Sequence, residues 1–252
     1  MAIWNRNKGS ALPDDWAEQA SRSVRWFDAL VDEERARIGE LAGRLLSEKD
    51  WEAAQGFELT EEIRLTIALQ AALLVLGLSF DHYRMAKTII VHPTTMVATG
   101  ERAGPVPGVV SADPLPLLGQ AAHAEGPVVI AWDEARRNAR HPERGYDVVF
   151  HEFAHKLDML DHVVDGTPPV DDDAARQRWI EVCTAELEAL RRGEGGDLLD
   201  DYAAQDPGEF FAVATEVFFD RPVDLRAAKP DLYDVLAAFY NQEPAAAADA
   251  SG

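Results

Sequence analysis

The chain has 252 residues, with 24 Lys+Arg against 45 Asp+Glu for a formal charge of −21, and 47% of its residues are hydrophobic. Such a composition supplies a sizeable core, suits neither a collagen-like nor a globally disordered chain, and fits one or two compact domains by length. The acid excess excludes direct nucleic-acid binding, because phosphate contacts need a basic face and no Lys/Arg cluster provides one.

Cys183 is the single cysteine and there is no CxxC, so neither an internal disulfide nor a thiolate zinc site is available, and a reducing, cytoplasmic setting is expected. The opening segment MAIWNRNKGSALPDDW has no apolar run of signal-peptide length, and residues 1–12 are expected to be flexible. From Trp16 to Leu46, apolar residues recur at three- and four-residue steps, which predicts two amphipathic helices. Thr60-Glu61-Glu62 reads as a helix start, a capping hydroxyl followed by acids, and leads into an apolar helix ending near Gly77. Its unbroken apolar piece is too short to cross a bilayer, so no membrane association is expected.

The pattern then changes. Lys87–Pro93 and Gly126–Trp132 are short, β-branched and bounded by Pro or Gly, which predicts two strands separated by a Gly/Pro-rich loop, Gly100–Pro116. Val128, Val129, Ile130, Ala131 and Trp132 are candidates for an edge strand that pairs with an extended peptide; an interior strand without substrate contact fits the same residues. Helical spacing returns at Tyr146–Leu160, and the acidic, Pro-containing stretch Asp161–Asp173 reads as a surface loop. Further helices fit Ala174–Leu190 and, after Pro207-Gly208, Glu209–Phe219, while residues 244–252 read as a disordered tail. No repeat or composition shift divides the chain. The expected architecture is α+β and predominantly helical, one domain over 13–243 with a mainly helical half (13–100) and a catalytic half (101–243).

HExxH stands at His151-Glu152-Phe153-Ala154-His155, inside an apolar helical pattern. With 3.6 residues per turn, His151 and His155 project from one face and can hold a single metal ion, while Glu152, about 100° round, can reach an attacking water without becoming a ligand. A third ligand is needed. Thermolysin-like spacing falls on Ala175, which excludes that arrangement. A HExxHxxGxxH pattern would place Asp161 as ligand, with Asp158 standing where the turn glycine belongs. The remaining candidate is Glu209, on a helix where it shares a face with Glu216 among Phe210, Phe211, Val213 and Phe218. Acids in so apolar a helix are costly unless paired or metal-bound, and Glu216 reads either as a group that orients a histidine or as an ordinary ion-pair partner.

HEFAHKLD at 151–158, Asp201-Tyr202-Ala-Ala-Gln-Asp-Pro-Gly-Glu209 through Pro222, Thr88–Pro93, Gly126–Trp132 and Pro230-Asp-Leu-Tyr233 together resemble the Mlc titration factor A family of zinc-dependent peptidases, over about residues 15–243. The resemblance implies a gluzincin-like, zincin-type core similar to that of anthrax lethal factor, with one Zn2+ held by His151, His155 and Glu209, Glu152 as catalytic base and Tyr202 assisting. It also implies peptidase activity, aminopeptidase-like on short peptides, and a regulatory link to sugar uptake through a transcriptional repressor of the Mlc type. The alternative is a non-catalytic protein that binds and sequesters such a repressor. The family often carries tyrosine where this chain has His92.

Overall fold

The computed structural model describes residues 7–8, 12–94, 96–98, 102–103, 110–111, 115–117, 126–163, 165–170 and 172–251. It is a mainly helical α+β fold. The N-terminal part contributes β1 (Asn7–Lys8), α1 (Trp16–Ser23), α2 (Asp32–Glu48), β2 (Asp50–Ala53) and α3 (Glu61–Leu74). Thr60 caps α3 as its sequence predicts, its hydroxyl accepting from the Ile63 N–H. Ile63 to Leu74 are all buried, which suits a central helix packed on several sides.

The strands β3 (Thr88–His92) and β8 (Val128–Ala131) fall within the predicted segments, but Trp132 leaves the strand to open α4 (Trp132–Asn138). Between them lie two short antiparallel pairs, β4 (Met96–Ala98) with β7 (Leu115–Leu117) and β5 (Arg102–Ala103) with β6 (Val110–Ser111). The rest of the predicted Gly100–Pro116 loop is outside the described residues.

The principal sheet runs β1-β2-β3-β8. β2, β3 and β8 are parallel, with Trp51 opposite Ile89 and Ile89 opposite Val128, and β1 joins β2 antiparallel. Asn7 and Lys8 therefore pair as a strand inside the segment expected to be flexible. The sheet places β8 at its end, an edge among the described residues.

The C-terminal half is helical: α5 (Val148–Asp158), α6 (Asp173–Arg191), α7 (Pro207–Asp220), α8 (Pro222–Ala228), α9 (Pro230–Tyr240) and α10 (Pro244–Ser251). The last of these replaces the expected disordered tail. Pro244 starts the helix, and buried Ala245 donates its N–H to the Tyr233 hydroxyl, so a tertiary contact orders an alanine-rich segment that composition alone leaves free. α5 packs between α7, α3 and β8. All eleven of its residues are buried, Lys156 included, whose Nζ donates to the Gly126 carbonyl just before β8. That bond holds the HExxH helix against the edge strand.

The acidic stretch after α5 is only partly a surface loop. Gly166 and Pro168 are buried, because the Asp158 carboxylate accepts from the Gly166 N–H and the Trp179 indole donates to the Gly166 carbonyl. Gly166 has φ +72°, and a Cβ there would strike the Pro207 carbonyl at the start of α7. The loop thus fixes the end of α5 against the beginning of α7.

Candidate metal centre

α5 starts at Asp147, whose carboxylate accepts from the Val149 and Phe150 N–H groups and satisfies two donors that a helix start leaves open. One turn on, His151 and His155 pack edge to face with ring centroids 4.8 Å apart and bring their Nε2 atoms to 3.2 Å. α7 enters from the other side. Asp206 caps it by accepting from the Glu209 N–H, which sets Glu209 in the first turn with its side chain toward the histidines. Glu209 Oε2 lies 3.1 Å from His151 Nε2 and 3.5 Å from His155 Nε2.

These three edges, 3.1, 3.2 and 3.5 Å, form a nearly equilateral triangle of two nitrogens and one oxygen. Ligand atoms about 2.0–2.1 Å from a tetrahedral zinc stand about 3.3–3.4 Å apart, so the triangle has the size of one face of a zinc tetrahedron. Among the described residues, this is the group of His, Cys, Asp and Glu side chains that could hold a metal ion. Asp161 is not in it. Asp161 is exposed in a 3-10 turn, its carboxylate accepting from the Val163 N–H, while Asp158 remains helical and turns its carboxylate to Gly166.

The helix partners supply the electrostatics. His151 Nδ1 hydrogen-bonds Glu216 Oε1 at 2.8 Å, which fixes the ring with Nε2 as the atom that faces the triangle. The other oxygen of Glu216 accepts from the Asp147 N–H at 2.6 Å, so one buried carboxylate ties the HExxH helix start to its histidine. Burial opposes charge on His151, but the Glu209 and Glu216 carboxylates outweigh it and push its pKa well above the ordinary imidazole value. Burial likewise opposes a charged Glu209, yet the two histidine rings beside its carboxylate hold it far below the usual range. A strongly anionic oxygen beside two imidazole nitrogens is the donor set a zinc ion takes.

Glu152 is 1% exposed, and neither of its oxygens has a hydrogen-bond partner among the described residues. Burial raises its pKa, with the adjacent histidines acting against the rise. Tyr202, in a 3-10 turn before α7, puts its ring 6.1 Å from that of His151 and hydrogen-bonds Glu209; burial and the Glu209 charge raise its pKa. A cavity of about 460 Å3 opens beside His151, walled by Tyr146, Val148, Leu198, Tyr202 and Val213.

Sequence reasoning missed Asp147 and Tyr146. An Asp directly before the apolar run Val148-Val149-Phe150 is a capping signal available in the sequence, whereas nothing in the spacing marks Tyr146 as a cavity wall.

The comparisons with known proteins agree with the geometry. Residues 2–241 match the family described as glucose-regulated metallo-peptidase M90. The chain belongs to this metallopeptidase family. It is 33% identical over 244 residues to the Mlc titration factor A of Serratia proteamaculans, covering 90% of each chain. It is 32% identical over 247 residues to the Mlc titration factor A of Edwardsiella ictaluri, covering 95% of this chain and 92% of that one. An uncharacterized protein of Synechocystis sp. is 31% identical over 236 residues, 92% of this chain and 86% of the relative. The M90 match extends the resemblance past Trp16 toward the N-terminus. Among the described residues, no helix is long and apolar enough to cross a membrane.

Proposed function

We propose that this M90 protein is a zinc-dependent peptidase of the gluzincin type, with His151, His155 and Glu209 as ligands of one Zn2+. The observation that carries the reading is the triangle of Nε2, Nε2 and Oε2 atoms with an unpartnered, buried Glu152 beside it. Zinc at this triangle supplies a Lewis acid that polarises the scissile carbonyl and makes water a competent nucleophile near neutral pH. Glu152 takes the proton of the attacking water and returns one to the leaving amine, the work of a desolvated carboxylate with a raised pKa. Tyr202 releases Glu209 and donates its phenolic O–H to the oxyanion that develops on the carbonyl. Glu216 keeps His151 in the tautomer that presents Nε2.

The substrate is a short peptide, handled in aminopeptidase fashion and laid along β8. The edge position of Val128–Ala131 supports this, as does the Lys156 bond that keeps this strand beside α5. Trp132, the first residue of α4, flanks the strand rather than extending it. The single Cys183 and the absence of CxxC favour a cytoplasmic setting.

The printed name of the relatives, Mlc titration factor A, supports a second role, association with a transcriptional repressor of the Mlc type. Glu152→Gln separates the two. The variant is expected to retain one equivalent of zinc by elemental analysis and to lose peptide hydrolysis by about 10²–10⁴-fold. Unchanged hydrolysis would remove Glu152 from the mechanism, and a variant that hydrolyses nothing yet still captures the repressor would assign that role to binding alone.

A further inference from the structure

The cavity of about 460 Å3 beside His151 is floored one turn away from the metal triangle on both helices that form it. On α5, Val148 stands three residues before His151; on α7, Val213 stands four residues after Glu209. Residues three or four apart share a helix face, with Cβ atoms about 5–6 Å from one another. The cavity floor and the ligand atoms therefore lie side by side. Residues of an extended peptide advance about 3.3–3.4 Å each, and each side chain springs from the carbon next to its own carbonyl. A residue flanking the peptide group presented to the metal can thus reach the cavity with its side chain.

The wall chemistry decides which side chain. Val148 and Val213 are joined by Leu198 and by the rings of Tyr146 and Tyr202. Leu198 and Tyr146 are half-buried and Tyr202 is 39% exposed, so these three offer surface to a ligand. Burial and the carboxylates of Glu216, Glu134 and Glu152 raise the Tyr146 pKa, so its phenol stays neutral, and the same carboxylates disfavour a further acid beside it. A cationic side chain finds no free carboxylate at the floor. Both oxygens of Glu216 are engaged, by His151 Nδ1 and the Asp147 N–H, while Asp197 and Asp200 are exposed, where an ion pair contributes little. Arg144 and Arg221 also line the cavity and match those two acids in number, with Arg221 held by Asp224. A concave, mainly apolar wall with few polar groups is the form of a site for an apolar group.

We propose that this cavity is the specificity pocket of the metal centre, receiving a large apolar side chain, aromatic or branched aliphatic, of a residue that flanks the peptide group presented to the metal. The ligand class rests on the reading of that centre as a peptidase.

The test is calorimetric titration of dipeptide amides into the zinc-loaded full chain carrying Glu152→Gln. Either Phe-Ala-amide or Ala-Phe-amide is expected to bind at least about tenfold tighter than Ala-Ala-amide, and Glu or Lys in place of that Phe is expected to abolish the gain. Leu198→Trp at the half-buried wall and Val213→Leu at the floor should each reduce the Phe preference by occupying the space, with zinc still bound by elemental analysis. Equal binding of all three compounds, a Glu or Lys compound as tight as the Phe one, or an undiminished Phe preference in both variants overturns the proposal. Hydrolysis of the same compounds by the unmutated protein is followed separately: Phe-selective binding without hydrolysis sinks the peptidase reading and leaves the pocket standing.

Discussion

Glu216 satisfies two donors with one carboxyl, the His151 Nδ1–H and the Asp147 backbone N–H, and it does so at 1% exposure. Removing it frees the imidazole to change tautomer and leaves a buried N–H without an acceptor. Glu216→Ala is therefore expected to weaken zinc binding about 10- to 100-fold, read by competition with a chromogenic chelator, and to cost about 1–3 kcal/mol of stability in the metal-free protein. Asp158 gives a prediction of a different kind. Burial pushes its carboxyl up to about 6 from an ordinary 3.8, so the folded chain holds that proton more tightly than the unfolded one. The stability it contributes is complete below pH about 3.8 and is lost as pH rises through about 6. Asp158→Asn cannot titrate. Between pH 4 and pH 7, the metal-free wild type should lose up to about 3 kcal/mol relative to the variant in urea unfolding, and a pH-independent difference would show that the carboxyl is not strained by burial.

At this scale the sequence was informative where chemistry imposes spacing. His151, Glu152 and His155 follow from helix periodicity, and Glu209 from the improbability of an acid on so apolar a helix. The choice between Asp161 and Glu209 was open on residue spacing alone, because it depends on where α7 lies relative to α5, a long-range fact that local pattern does not encode. Which oxygen of Glu216 meets which donor is of the same kind.

Among the elements, the relation of α5 to α7 rests on the loop that carries Gly166. Its amide is held by Asp158 of α5, its carbonyl by Trp179 of α6, and its Cα lies against the Pro207 carbonyl of α7. Positive φ and the lack of room both require glycine. Gly166→Ala is expected to lower stability by about 2 kcal/mol or more and to weaken zinc binding, because any displacement of Pro207 moves Glu209 two residues later. A melting curve and a zinc titration on the same sample check both. The predicted helices agree with α3, α5, α6 and α7 to within a few residues because caps and apolar periodicity mark them. α4, α8, α9 and α10 escaped notice. Each is short or begins at a proline that reads equally well as a stop, and α10 depends on the Tyr233 hydroxyl receiving the Ala245 N–H. Strand β2 was missed for a similar reason: Asp50-Trp-Glu-Ala has little β propensity and is a strand because Trp51 pairs with Ile89.

For the molecule as a whole, the helical half and the sheet share one continuous core that runs from Phe27 through α3 to Tyr240. The charge of −21 surrounds it with a field that favours approach of cationic and neutral peptides over acidic ones, an effect that added salt should diminish. His155 and Glu209 are 54 positions apart in the chain and come within 3.5 Å. An ion gripping both would act as a removable clasp on everything threaded between them, the Gly166 loop and α6 included. Withdrawing it with a chelator releases that restraint, so the segment between the two residues should become the quickest part of the molecule to exchange its amide protons and to be nicked by an added protease.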